Sequence, residues 1–546
     1  MVAAAVAVVA LTWLWARWCS WCGARTQAAR AFTRQGVRGP AYRFFVGNNE
    51  EVKAMRAATS GVTLDLRSHD FISRVMPHYR AWTSRYGKVF LSWYGSKPTL
   101  CVGDYDMVKR VLSDRSGPVR QDGPGPGNPG AAGHGPRSSP RATTGRATAA
   151  SCTRPFAMDK LKSMTGTMAA CAAEVIGAWA ARAAAKGNNK KFFTIEVGQQ
   201  FQELTADVIS HTAFGSSFRQ GKEVFLAQRE LQFIAFASIN NVRVPGSQYA
   251  PTKANVRRWQ LERKVRGTLM EIIHERLAAA KESRGYGTDL LGLMLEANAA
   301  GGGKRVIMSM DEIIDECKTF FFAGHDTTSH LLTWAMFLLG THPEWQQKLR
   351  EEVIQECGGA DAPIHGDALN KLKLVTMVLY ETLRLYGAVI MVGRVATVDA
   401  DLCGVKVPKG TILMIPIAML HRDEEVWGAD AGRVQPAPVP GRRRQGGRAP
   451  ERAAVLLHRL ALVHRAGLRH AGGQGDARHD PTAVCTFEVA PEYVHAPADF
   501  LTLQPMQGAS PSCSSSWIPR GSLLHYSALP TVIKSGRPYY MLSAHS

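Results

Sequence analysis

Phe320-Phe321-Phe322-Ala323-Gly324-His325-Asp326-Thr327-Thr328 runs straight into Ser329-His330-Leu331-Leu332-Thr333-Trp334-Ala335-Met336-Phe337-Leu338-Leu339. An acid and two threonines thus stand in the middle of one long apolar run. Burying such groups costs free energy unless each has a partner or a task. The apolar spacing from Met310 to Leu339 predicts a single helix. Gly324 costs that helix about 1 kcal/mol against alanine, and a glycine beside polar residues is a common place for a helix to bulge and admit a ligand. Taken alone, the run fits equally well a buried helix whose threonines bond back to its own carbonyls.

Residues further along the chain shift that balance. Glu381-Thr382-Leu383-Arg384 sets acid and base three apart on one helix face, which in isolation reads as a surface ion pair. Leu385-Tyr386 and then Arg394 come next. Val405 to Ile415 places Pro408-Lys409-Gly410 between two apolar runs and reads as a hairpin. His421-Arg422-Asp423-Glu424-Glu425-Val426-Trp427-Gly428 closes the series. In this order the set resembles the haem-thiolate monooxygenases, the cytochrome P450 family. Gly39-Pro40-Ala41-Tyr42-Arg43-Phe44-Phe45, Leu204-Thr205-Ala206-Asp207-Val208-Ile209-Ser210 and Phe214-Gly215 are similar to plant microsomal members.

The resemblance implies a mainly α fold with a minor antiparallel β part, the cytochrome P450 fold, over residues 36–507. It makes Met310 to Leu339 the helix crossing the distal face of a haem (iron protoporphyrin IX). Asp326 and Thr327 become the acid–alcohol pair that passes protons toward dioxygen, a general-acid task. Gly324 makes room for the oxygen, and Ala323 and Thr328 lie beside the cofactor. Glu381 and Arg384 become a buried pair locking the proximal side, and Arg394 meets a haem propionate. Ala388 departs from the family, which usually has proline there.

The spacing elsewhere agrees with a helical body. Helices are expected over Met158 to Ala185, Phe201 to Phe214, Val256 to Ala280, Pro343 to Cys357 and Leu369 to Tyr386. Strands are expected over Val89 to Tyr94, Thr99 to Val102 and Thr411 to Ile415.

One essential piece is absent. The family's iron ligand is a cysteine in FxxGxRxCxG, whose thiolate pushes electron density onto the iron and favours O–O cleavage. No such string occurs, so no metal ligand is assigned and the fold is expected to be incomplete around the proximal haem loop. The cysteine belongs near Val463, inside Gly432 to Thr486. The family's WxxxR belongs inside Gly117 to Arg154. Both stretches are crowded with Gly, Pro, Arg and Ala and have no apolar period. They have the composition of disordered linkers but are too long for structureless loops in a compact domain.

A one-base shift of reading frame accounts for both. Leu468 to Gly475 can then be re-read as FAMLEAKA, and Arg459 to Gly467 as GSRSCIGQD, with cysteine where Val463 stands. Arg433-Val434-Gln435-Pro436, with Pro438 and Val439, can become EFNP followed after one residue by RF. The opposite shift turns Thr143-Thr144-Gly145 into DDW and Ala147 to Ala150 into RHRR, restoring WxxxR. Residues 117–154 and 432–486 are therefore expected to be non-native, as is a tail over 508–546. Cys485 and Cys513 lack the glycine and arginine framing of a substitute ligand.

Composition fits this picture. The 546 residues are 45% hydrophobic and carry a formal charge of +21, with a pI near 9.7. Residues 117–154 hold five arginines against one aspartate and residues 432–486 ten against three acids. The basic excess thus concentrates in the shifted text and points to no nucleic-acid partner. Ten scattered cysteines read as free thiols of a reducing compartment.

Val2 to Ala16 is a run of fifteen uncharged residues, apolar except for Thr12. A spanning helix needs about 20 apolar residues, reached here with Trp18 and Trp21 as an interfacial belt. Arg17, Arg25, Arg30, Arg34 and Arg38 follow it and none precedes it. Residues 1–24 are expected to be an uncleaved anchor in the endoplasmic reticulum membrane, with the catalytic domain cytosolic.

For the parent protein the resemblance implies insertion of one oxygen atom of dioxygen into a small apolar substrate, with electrons from a membrane NADPH-dependent reductase. The chain as written is expected to lack normal catalysis. The rival is a non-catalytic, membrane-anchored remnant without haem.

Overall fold

The computed structural model describes residues 27–113, 119–120, 165–185, 193–215, 224, 226–234, 249–282, 285–287, 289–300, 308–356, 371–434, 484–500, 502–505, 512–518 and 541–542. The anchor expected at 1–24, the position of Val463, and most of 117–154, 432–486 and 508–546 lie outside these residues. So do the first residues of the helices expected from Met158 and Leu369.

The longer elements run in the order α1 (Asn49–Thr59), α2 (Pro77–Tyr86), β1 (Val89–Tyr94), β2 (Lys97–Val102), α3 (Tyr105–Ser113), β3 (Val119–Arg120), α4 (Thr165–Ala185), β4 (Phe193–Glu196) and α5 (Val197–Phe214). They continue with α6 (Lys253–Lys281), α7 (Leu290–Ala300), α8 (Met310–Thr341), α9 (Pro343–Glu356), α10 (Lys373–Tyr386), β5 (Val392–Ala396), β6 (Ala400–Leu402), β7 (Val405–Val407) and β8 (Ile412–Ile415). The C-terminal part holds β9 (Val484–Val489), β10 (Pro497–Phe500), β11 (Thr502–Pro505), β12 (Ser512–Ile518) and β13 (Met541–Leu542). The chain is mainly helical with a small, largely antiparallel sheet component, as the spacing predicts.

Helix α8 is the axis of the molecule. Ser309 caps it: its hydroxyl accepts from the Glu312 amide (3.2 Å) while the Glu312 carboxylate accepts from the Ser309 amide (2.8 Å). This reciprocal cap satisfies two amides that the first helical turn leaves without partners. The apolar stripes of α8 serve three cores. Leu331, Leu332 and Ala335 join α4, α5, α9 and α10. Ile313, Ile314, Cys317 and Phe321 join α6 and α7. Trp334, Phe337 and Leu338 meet Phe71, Tyr386, Tyr493 and Leu503.

A five-stranded sheet, in the order β1-β2-β8-β5-β3, borders the helical part. β1 and β2 are antiparallel (Val89 opposite Val102, Tyr94 opposite Lys97), and β2 begins at Lys97, two residues before the strand expected from Thr99. β8 lies parallel to β2 and antiparallel to β5.

The expected hairpin over Val405 to Ile415 is not formed. β7 pairs back onto β6, with Leu402 opposite Val405. Cys403 (φ 52°) and Gly404 (φ 88°) make that two-residue turn, the left-handed pair a tight hairpin requires. Pro408 has no N–H to carry a ladder onward, and Gly410 (φ 83°) swings the chain so that its amide donates to the Ala396 carbonyl (2.7 Å). β8 is thereby delivered to the larger sheet.

β12 pairs with β4, β9 and β13. Among the described residues no helix is long and apolar enough to cross a membrane.

Candidate active site

Glu381 and Arg384 are not a surface pair. They are 6% and 4% exposed, and the guanidinium grips the carboxylate with two parallel bonds, Nε to Oε2 at 2.9 Å and Nη2 to Oε1 at 2.7 Å. The other guanidinium hydrogens go to backbone carbonyls: Nη1 to His421 (3.0 Å) and Ala431, and Nη2 to Arg433 (2.9 Å). All five N–H donors of Arg384 are used. The Trp427 ring lies 5.2 Å from the guanidinium carbon, and its Nε1 donates to Leu420 O (3.0 Å). The ExxR residues and the HRDEEVWG block, far apart in sequence, thus form one lock in which a buried cation meets a carboxylate, three carbonyls and an aromatic face.

Arg422 extends this lock. It donates to the carbonyls of Ala418 (3.1 Å), His69 (3.1 Å) and Leu385 and sits 4.3 Å over the Phe71 ring. Burial brings its pKa down to about 10. Beside it runs a buried polar chain. His69 Nδ1 meets Tyr386 Oη (2.9 Å), Tyr386 Oη meets His495 Nε2 (3.1 Å), and His495 Nδ1 meets Tyr493 Oη (3.2 Å). Burial, reinforced by nearby cations, pushes His69 and His495 to about 3, so both are neutral near pH 7. None of the residues in this chain was singled out from sequence. Arg422 and Tyr386 stood inside quoted motifs, whereas no local pattern marks His69 or His495.

On α8 the motif splits between two helix faces. Gly324 faces α5: a Cβ there would lie 2.9 Å from Ile209 Cδ1. His325 also belongs to that contact, with Nε2 3.0 Å from Gln202 O, its ring stacked on Phe321 and its carbonyl accepting from Thr205 Oγ1 (3.2 Å). Burial lowers its pKa to about 4. The helix passes Gly324 without a bulge. Here the glycine admits a neighbouring helix, and Thr328, one turn on, shares its face.

Ala323, Asp326 and Thr327 share the other face. Ala323 is exposed although α8 is largely buried on either side of it. Thr327 Oγ1 donates back to Ala323 O (2.5 Å), the local bond expected of a mid-helix threonine. The Asp326 carboxylate accepts from Thr502 Oγ1 of β11. His330 Nδ1 stands 3.0 Å from that hydroxyl and 3.6 Å from the carboxylate. A small cleft beside Asp326 is lined by three aromatic side chains, Phe322, Phe233 and Phe500, and by the polar Arg229, Gln232 and Gln504.

Arg394 on β5 is half-buried and gives one hydrogen bond to the Gly393 carbonyl (2.8 Å). Among the described residues no carboxylate pairs with it, and burial lowers its pKa. An exposed alanine on the central helix, an acid and an alcohol beside it, and a cation without an acidic partner fit the distal and propionate sides of a haem. Among the described residues the proximal side has no counterpart. Of the described cysteines, Cys101, Cys171 and Cys317 are buried and Cys403 is exposed at the β6–β7 turn, and none stands in a thiolate-ligand string.

The chain has relatives among known proteins. The cytochrome P450 family model matches residues 61–437. Cytochrome P450 709B1 of Arabidopsis thaliana is 37% identical over 487 residues, covering 88% of this chain and 91% of its own length. Cytochrome P450 734A6 of Oryza sativa subsp. japonica is 35% identical over 504 residues, covering 88% and 89%. Secologanin synthase 1 of Catharanthus roseus is 32% identical over 524 residues, covering 93% and 96%.

Proposed function

Because the chain belongs to the cytochrome P450 family, we propose that its intact form is a microsomal monooxygenase. It inserts one oxygen atom of dioxygen into a small apolar molecule, using electrons from a membrane NADPH-dependent reductase. The N-terminal run over residues 1–24 anchors it in the endoplasmic reticulum membrane. Family membership supplies the reaction class, haem-dependent monooxygenation. The arrangement around Asp326 carries the finer reading.

When bound, haem supplies the activation of dioxygen, chemistry that belongs to the cofactor. The chain's own residues hold and position. Thr502 fixes one oxygen of Asp326, leaving a carboxylate next to the Thr327 hydroxyl as a two-group path for protons. Phe322, Phe233 and Phe500 offer apolar surface to a substrate and limit water beside the acid. Arg394 offers a positive charge to a propionate. The Glu381–Arg384 lock fixes the backbone from His421 to Arg433 on the proximal side.

The chain as written is a non-catalytic remnant of this enzyme. Supporting this, the family match ends at residue 437, just inside the second anomalous stretch, and the ligand string expected near Val463 is missing. Two experiments test the two halves. Sequencing the transcript across residues 117–154 and 432–486 should reveal a frame restoring WxxxR and the cysteine string; a single uninterrupted frame in the mature transcript would make the lesion part of the expressed gene. With the frame restored, the chain plus reductase and NADPH should place label from isotopic dioxygen into an apolar product. NADPH oxidation without any labelled product, across a panel of apolar substrates, would count against monooxygenation.

A further inference from the structure

Helices α4 and α5 lie side by side, and where Cys171 of α4 meets Asp207 and His211 of α5, three different donor atoms converge. The Cys171 sulfur, an Asp207 carboxylate oxygen and a His211 imidazole nitrogen all lie within 4.8 Å of one another. His211 Nε2 is 3.6 Å from Asp207 Oδ1. The two residues stand four apart, so both project from one face of α5. Ile209, midway between them, points at Gly324 of α8. A two-residue step turns a helix by about 200°, so Asp207 and His211 look away from α8 and from the site around Asp326.

We propose that Cys171, Asp207 and His211 form a binding site for one zinc-like divalent metal ion, with a water molecule or the Glu174 carboxylate as fourth ligand. The donor set selects this class of metal. A thiolate, an imidazole and a carboxylate suit zinc and its neighbours, whereas calcium and magnesium want oxygen alone. With metal–donor lengths of about 2.0–2.3 Å, a tetrahedral site holds its ligand atoms roughly 3.3–3.8 Å apart, so small side-chain rotations close the present cluster onto an ion. The surroundings fit as well. Cys171 is 7% exposed and belongs to the same buried apolar cluster as Phe201, Leu204 and Val208 of α5, which backs the site with apolar surface. The Asp207 and His211 side chains keep 23% and 34% of their surface in solvent, which gives an ion a way in. In the metal-free protein the Cys171 thiol donates to Asp207. A bound ion takes the position of that proton, which leaves to solvent, and bonds both groups.

The experiment uses the full chain, stripped with chelator and titrated with cobalt(II) as a coloured substitute for zinc. One equivalent should bind with a sulfur-to-cobalt charge-transfer band in the near ultraviolet, and zinc should displace it. Cys171→Ser should remove the band, and His211→Ala should weaken cobalt binding at least tenfold while keeping the far-ultraviolet circular dichroism of the parent. No band in the parent chain overturns the proposal. So does a band that persists in Cys171→Ser, because the cobalt then sits on another of the chain's cysteines. If Cys171→Ser fails to fold, the His211→Ala titration decides: unchanged affinity overturns the site.

Discussion

Arg384 holds the Glu381 carboxylate by two bonds, 2.9 Å and 2.7 Å long, inside a pocket that solvent hardly reaches. A buried pair of this kind is weak evidence for net stabilisation. Removing one member, however, leaves the other charge buried without compensation, which typically costs about 3–5 kcal/mol. Glu381→Gln and Arg384→Met are therefore expected to destabilise the described body by that amount. Arg384→Lys should fare little better, because an ammonium offers three donors where the guanidinium uses five. Urea unfolding of the three variants checks this; a loss below about 1 kcal/mol in all of them would show that the pair is dispensable.

Gly324 lies so close to Ile209 that a methyl group cannot be added without movement. Helix propensity alone would make Gly324→Ala stabilising by about 1 kcal/mol, whereas overpacking costs about 1–3 kcal/mol. The two effects separate in a double-mutant cycle. Gly324→Ala should be more favourable by roughly 1 kcal/mol in an Ile209→Val background than in the parent. Strict additivity would mean that the contact with α5 does not decide the glycine.

Thr502 and Asp326 come from sequence segments far apart and meet in a direct hydrogen bond beside the cleft. A hydrogen bond to a charged group contributes about 1.5–3 kcal/mol. Thr502→Val should cost that much in the parent chain and clearly less once Asp326 has been replaced by alanine. Equal costs in the two backgrounds would mean that the hydroxyl's role is elsewhere.

Acid should unfold the protein early. Burial holds His69, His78 and His495 near 3 and His325 and His421 near 4, below the free value of 6.5. A lowered folded-state pKa means that the unfolded chain binds protons first as pH falls. The stability tied to these neutral rings is full above about pH 6.5 and is lost as pH falls toward 3. Each ring contributes a slope of about 1.4 kcal/mol per pH unit within that window. Urea midpoints at pH 7.0 and 5.5 test this: a midpoint that does not fall would show that the rings take up protons without unfolding.

Much of the architecture was legible in the residues. The polar insertion at Asp326-Thr327, the ExxR spacing and the HRDEEVWG block named the family, and apolar periodicity marked α5, α6, α8, α9 and β1, because burial on one face writes a period into the sequence. The contacts among these elements were not legible. The spacing of Glu381 and Arg384 alone reads as a surface pair; the resemblance implied their burial, but no local pattern announces the carbonyls from 421 to 433 that complete it. Gly324 has the look of space for a ligand, but Ile209 packs against it. The turn over Pro408-Lys409-Gly410 had hairpin chemistry, but partner choice belonged to β6 and to the larger sheet. The Cys171, Asp207 and His211 cluster spans two helices and has a spacing signal only in its Asp–His half.

We propose that this chain keeps the distal and locking residues of a cytochrome P450 but not its thiolate ligand. The most direct measurement is the reduced carbon monoxide difference spectrum of the chain as written, recorded beside a version with the reading frame restored over 117–154 and 432–486. The restored protein should show a thiolate-type Soret band and the chain as written none. A thiolate-type band from the chain as written would contradict the proposal.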